Sequence, residues 1–123
     1  MLTARQQSGR RAEQLAAQFL RAAGCEILQT NFSRRLGELD IIARDGTVLL
    51  LAEVRTRASS AYGGAAASVD RRKQRRIARA ASQLLQSRRD LAALPVRFDV
   101  IVVTDPGSSR PAIDWIRHAF AAD

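Results

Sequence analysis

The chain has one cysteine, one histidine, one tryptophan and one tyrosine, and only 5% of its 123 residues are aromatic. A lone cysteine, Cys25, excludes an intramolecular disulfide and fits a reducing, cytoplasmic setting. With His118 as the single histidine there is no zinc-finger spacing, and so few aromatics offer no platform on which single-stranded bases could stack. No apolar run approaches the length of a membrane span, and the start lacks the basic, apolar, small-residue order of a secretory signal, so neither membrane nor export is expected. Lysine is scarce too: Lys73 is the only one, and nineteen of the twenty basic residues are arginine.

What is present is ordinary globular stuff with an unusual charge. Apolar residues make up 46% of the chain and charged residues 26%, enough for one core, and the length predicts one domain over residues 1–123. The formal net charge is +8, which favours a polyanionic partner, since each phosphate neutralised by a cation releases condensed counterions. Codon bias and solubility are the plain alternative explanation of that charge.

Apolar residues from Ala12 to Ala23 recur at helical spacing, so the stretch from about Thr3 to Ala23 predicts an amphipathic helix stopped at Gly24. Cys25 to Thr30 predicts a short strand, followed by a polar basic stretch through Arg34 and Arg35. Glu38 to Arg44 and Thr47 to Arg57 predict two antiparallel strands about an Asp45-Gly46 hairpin turn. Ala58 to Ser68, rich in Ala, Ser and Gly, predicts a loop that could cover a site, with Tyr62 as its anchor or as a base-stacking ring. Asp70 is an N-cap for a second helix to Ser87, Val96 to Thr104 is a buried strand, and Ile113 to Ile116 is a last short strand. The order α-β-β-β-α-β-β predicts an α/β fold: a mixed central β-sheet flanked by helices.

If Arg44 faces Thr47 across the hairpin, then Glu53 faces Glu38 and Asp40 is its diagonal neighbour. Glu38, Asp40, Glu53 and Arg55 then share one face. Carboxylates so placed repel and resist desolvation unless a cation compensates, and Mg²⁺ or Mn²⁺ suits hard oxygen ligands. The alternative is a solvated strand face with Arg44, Arg55 and Arg57 as cross-strand partners.

Glu53-Val54-Arg55 after an upstream Asp resembles the Asp…Glu-x-Lys signature of the restriction-endonuclease-like nuclease fold. More specifically, Gly9-Arg10-Arg11-Ala12-Glu13, Asn31, Gly37-Glu38-Leu39-Asp40-Ile41-Ile42, Leu51-Ala52-Glu53-Val54-Arg55 and Arg97-Phe98-Asp99-Val100-Ile101 resemble the YraN family of small bacterial proteins. The resemblance implies a restriction-endonuclease-like or Holliday-junction-resolvase-like core. It also implies a metal-dependent endonuclease acting on branched or structured DNA, with Asp40 and Glu53 as metal ligands and Glu13 as a third acid. Copies of such folds commonly pair their sites, so the resemblance leaves both a homodimer and a monomer open. Where the family usually has Lys this chain has Arg55, which stays protonated and supplies only charge and hydrogen bonds. Lys73, on the inward face of the second helix, is the candidate substitute.

Arg71, Arg72, Lys73, Arg75, Arg76 and Arg79 crowd the first turns of that helix, where cations oppose the dipole, and are expected to bind phosphates together with Arg34 and Arg35. Two other classes of function fit the same charge: a nucleic-acid-binding protein without turnover, and an interaction module whose basic helix docks an acidic protein. His118 is expected at a surface or edge, Trp115 and Phe120 in packing, and Asp99 paired with Arg97 or a helix cation.

Overall fold

The computed structural model describes residues 1–58 and 68–121. Seven elements follow in order: α1 (Ala4–Ala22), β1 (Glu26–Arg34), β2 (Gly37–Asp45), β3 (Val48–Arg57), α2 (Arg71–Ser87), β4 (Val96–Thr104) and β5 (Ala112–Phe120). The five strands form one sheet in sequence order, antiparallel throughout except for the parallel β3/β4 pair that α2 connects. This is the expected mixed sheet with helices, and it is consistent with a restriction-endonuclease-like core. No helix among the described residues is long and apolar enough to cross a membrane.

Both helices start on side-chain caps. Thr3 and Gln6 satisfy each other's backbone N–H groups in a capping box, and Asp70 accepts from the Lys73 N–H. α1 lays Ala12, Ala16 and Leu20 against Ile41, Ala43, Leu50, Ala52, Ile101 and Val103. α2 lays Ile77, Ala80 and Leu84 against Phe32, Leu39, Ile42, Leu49, Leu51 and Phe98 on the other side. The middle of β3, Leu49 to Ala52, is therefore buried throughout, which is why it reads as a continuous apolar run. Gly37 is buried where β2 meets α2, and a Cβ there would run into the Arg76 carbonyl, so glycine is what lets the helix approach.

Three expectations are corrected. The β2/β3 register pairs Asp45 with Val48 and Arg44 with Leu49, leaving Gly46 (φ 62°) and Thr47 as the loop. Arg44 does not face Thr47, and Glu53 does not face Glu38. The offset is two residues, so each side chain keeps its face. β1 runs on through the basic stretch to Arg34, closing on Gly37 around Arg35 and Leu36. An edge strand with one wet face needs few apolar residues, which made this segment read as loop. β5 is likewise longer than four residues, and its register slips between Phe98 and Val100, close to His118 with its left-handed φ of 53°.

One irregularity positions chemistry. Leu39 and Ile41 are two apart on β2, yet Ile41 packs in the α1-side core and Leu39 in the α2-side core. The pleat breaks between them at Asp40, across from Asn31, whose φ is 55°.

Candidate active site

The β2/β3 ladder ends at Ile41 and Ala52, one step short of Asp40 and Glu53. Beyond that pair the strands part, and the Asp40 carboxylate, in place of a backbone carbonyl, accepts the Val54 N–H at 2.9 Å. The two acids thus stand together where β2 and β3 part, lining a cleft of about 590 Å³. The N-terminal half of α1 supplies one wall through Arg5, Ser8, Gly9 and Glu13, while Val54, Arg55 and Thr56 of β3 supply another.

Both carboxyls are held well above the usual carboxylate range. For each the largest cause is burial, which penalises the charged form. The Glu13 charge adds to this at Asp40, whereas the Val54 hydrogen bond opposes it; at Glu53 the neighbouring Asp40 adds, and Lys73 and Arg55 oppose. Lys73 turns inward from α2, 3.7 Å from Glu53 and 3.6 Å from Glu38. Its ammonium approaches Glu53 from beyond the cleft lining and is too distant for a tight hydrogen bond.

The structure therefore brings Glu13, Asp40, Glu53 and Arg55 into one cleft, and puts Lys73 behind Glu53. Glu13 stands apart from the pair: among the described residues no three Asp, Glu, His or Cys side chains gather closely enough to hold a metal ion. Glu38 does not line the cleft; it is an exposed partner of Lys73. Arg57, expected as an ordinary partner, bonds Thr104 and Asp114 at the far end of β4 and β5.

The other basic residues lie elsewhere. Arg71, Arg72, Arg75, Arg76 and Arg79 are exposed on α2, and among the described residues none of them forms an ion pair. Arg71, Arg75 and Arg79 line a groove of about 350 Å³ between α2 and Ala121 beyond β5, which shares no lining residue with the carboxylate cleft. Arg34 stacks on Phe32 with its guanidinium carbon 4.2 Å from the ring centre, and Arg35 is exposed at the β1/β2 turn. Tyr62 and most of the loop that could cover a site fall outside the described residues.

Arg5, Ser8 and Gly9 line the cleft without having been singled out as its walls. The usable signal was helical spacing: Arg5, Gly9, Ala12 and Glu13 recur at intervals of three and four on the edge of α1 nearest the sheet. Asp99 is fully buried but fully engaged. It accepts from Arg97, from the Trp115 ring N–H at 2.8 Å and from the His118 backbone N–H at 2.9 Å, while Arg97 also reaches Asp45. His118 itself is exposed on the edge strand.

Residues 12–103 match the sequence model of a family described as "Uncharacterised protein family UPF0102". The chain is 46% identical over 115 residues to a UPF0102 protein of Stutzerimonas stutzeri, covering 94% of this chain and 95% of the relative. It is 46% identical to one of Xanthomonas euvesicatoria over the whole chain and 98% of the relative. A Pseudomonas aeruginosa relative is 44% identical over 93% of this chain and 92% of its own length.

Proposed function

Since the chain belongs to the UPF0102 family, a description that names no chemistry, we propose from its cleft that it is a metal-dependent endonuclease acting on structured or branched DNA. One observation carries this reading. Two desolvated carboxylates stand together where the β2/β3 ladder ends, with no short hydrogen bond from a cationic side chain among the described residues, beside arginines that suit a phosphate.

The donor set fits Mg²⁺ or Mn²⁺: two hard oxygen donors suffice for an ion that keeps several waters and takes the rest of its shell from substrate. Asp40 and Glu53 would hold it, and Glu13, which also lines the cleft, would be the acid placed to orient a water or take a proton there. When bound, such an ion lowers the pKa of water and offsets charge on a phosphodiester. Arg55 and Arg5 orient the phosphate by bidentate hydrogen bonds. Arg55 is not a base, because guanidinium does not lose its proton near neutrality. Lys73 fixes the Glu53 carboxylate from behind and joins it to Glu38, so α2 is tied to the site without entering it. Cutting both strands of a duplex would need two such clefts, hence a homodimer.

The test is cleavage of labelled four-way-junction, duplex and single-stranded DNA with Mg²⁺ or Mn²⁺, beside EDTA and Asp40→Asn controls. Metal-dependent cutting that the variant loses is the expected result. A second reading, a nucleic-acid-binding protein without turnover, is favoured by one observation: the cation that lines the cleft on β3 is Arg55, and the lysine lies behind. Binding without cutting, with activity gained by Arg55→Lys, is its signature.

A further inference from the structure

The face that adjoins the cleft is not the α2 patch. A second groove, of about 440 Å³, runs between α1 and β1 and is lined by Arg10, Gln14, Gln18, Arg21, Thr30 and Asn31. It shares Glu13 with the cleft, so the two depressions adjoin at that side chain. Its α1 residues lie on one flank of the helix, 10, 14, 18 and 21 being spaced by four, four and three. From Arg10 to Arg21 that flank rises about 16 Å, from the mouth of the cleft to the far end of α1. The opposite bank is β1 at Thr30 and Asn31, the latter with a left-handed φ of 55° across from Asp40.

The lining has the chemistry of a phosphate track. Two exposed arginines stand at its ends, and among the described residues neither forms an ion pair. Between them are carboxamides and a hydroxyl, which donate to phosphate and sugar oxygens without reading bases. Its one acid is Glu13, at the end that opens into the cleft. By contrast, the groove beside Arg71, Arg75 and Arg79 shares no lining residue with the cleft.

Resting on the nucleic-acid reading above, we infer that the α1/β1 groove carries the phosphodiester backbone of the substrate strand as it leaves the cleft. Arg10 and Arg21 each neutralise a phosphate, and Gln14, Gln18, Thr30 and Asn31 hold the strand between them. The α2 arginines contribute general attraction at a separate surface.

The experiment measures binding of a fluorescent DNA duplex in EDTA, where turnover plays no part. The Arg10→Gln/Arg21→Gln double variant is compared with Arg75→Gln/Arg79→Gln, which removes the same two charges. The expected result is about a 10-fold weaker Kd for the α1 pair, with the slope of log K against log salt reduced by about 2. The α2 pair should lose about 3-fold or less. Equal losses, or a larger loss for the α2 pair, would overturn the inference while leaving the nuclease reading standing. No binding by the wild-type chain at moderate salt would overturn the nucleic-acid reading itself, and this inference with it. A second readout uses the unaltered chain: a duplex with 4-thiothymidine beside the bound region should cross-link to peptides of α1 and β1. Cross-links confined to α2 would refute the track.

Discussion

Asp99 and Glu53 are buried acids of the same sheet, Glu53 with the half-buried Asp40 beside it, yet the two places are opposite cases. Asp99 meets a guanidinium, an indole N–H and a backbone N–H, and Arg97 extends the network to Asp45 at the β2/β3 turn. Every lone pair has a donor and the charge has a countercharge, so this acid clasps β4, β5 and the hairpin end. Asp40 accepts one backbone N–H, Glu53 has an ammonium at 3.7 Å, and the Asp40 charge raises the proton affinity of Glu53. Burial alone therefore does not single out a candidate site in this protein; burial with incomplete compensation does.

The comparison breaks most sharply under substitution. Asp99→Ala leaves Arg97 without its buried partner and should cost about 3–5 kcal/mol in urea unfolding. Nothing comparable should follow at the other site: Glu53→Gln, which keeps shape and removes the desolvated charge, should stabilise the metal-free chain at pH 8. One pKa unit is worth about 1.4 kcal/mol, so the Glu53 shift, from 4.5 to about 7, sets an upper bound of about 3 kcal/mol on that gain. A loss of stability in Glu53→Gln at pH 8 would mean that the pair is structural after all.

The sign of the pH dependence follows from the same shifts. Asp40 and Glu53 are raised in the folded state, Asp40 to about 6, so the stability they contribute is fully present below about pH 4 and is lost as pH rises through about 6 and 7. In EDTA, unfolding free energy should fall across that window by about 2–4 kcal/mol and stay flatter in the Asp40→Asn/Glu53→Gln variant. Trp115→Phe keeps the ring against α1 and Phe19 but removes one donor from Asp99; about 1–3 kcal/mol should be lost, checked by the same unfolding curves. The smallest effect is expected at the exposed Arg57 and Asp114 pair. Asp114→Ala should change stability by less than about 1 kcal/mol.

Much of this fold was legible because its signals are local. The apolar stripe of α1, the Asp70 cap and the unbroken run in β4 each state an element through spacing alone. The register of β2/β3 was not legible, since Asp45-Gly46 and Gly46-Thr47 are both acceptable hairpin loops, and packing on two helices chose the second. At the site, Asp40, Glu53 and Arg55 were readable as one group because an even offset preserves faces, whereas Glu13 joined them through the family resemblance. The break at Asp40 was hidden, because it depends on a left-handed Asn31 in a strand that read as loop. The inward turn of Lys73 was foreseen from its spacing to Ile77, whereas the distance between the α2 arginines and the cleft depends on how α2 crosses the sheet. The indole bond to Asp99 joins residues sixteen apart on two strands, and no local pattern announces it.

The central claim is that Lys73 only partly offsets the two carboxylates of the Asp40/Glu53 pair, and that a divalent cation would supply the remaining countercharge. Calorimetric titration of the EDTA-stripped chain with Mn²⁺ at pH 6.5, in buffers of different ionisation enthalpy, addresses it directly. The account predicts binding with net proton release, abolished in Asp40→Asn/Glu53→Gln and retained in Asp114→Ala. Mn²⁺ binding that is absent, or that survives unchanged in the double variant, would contradict it.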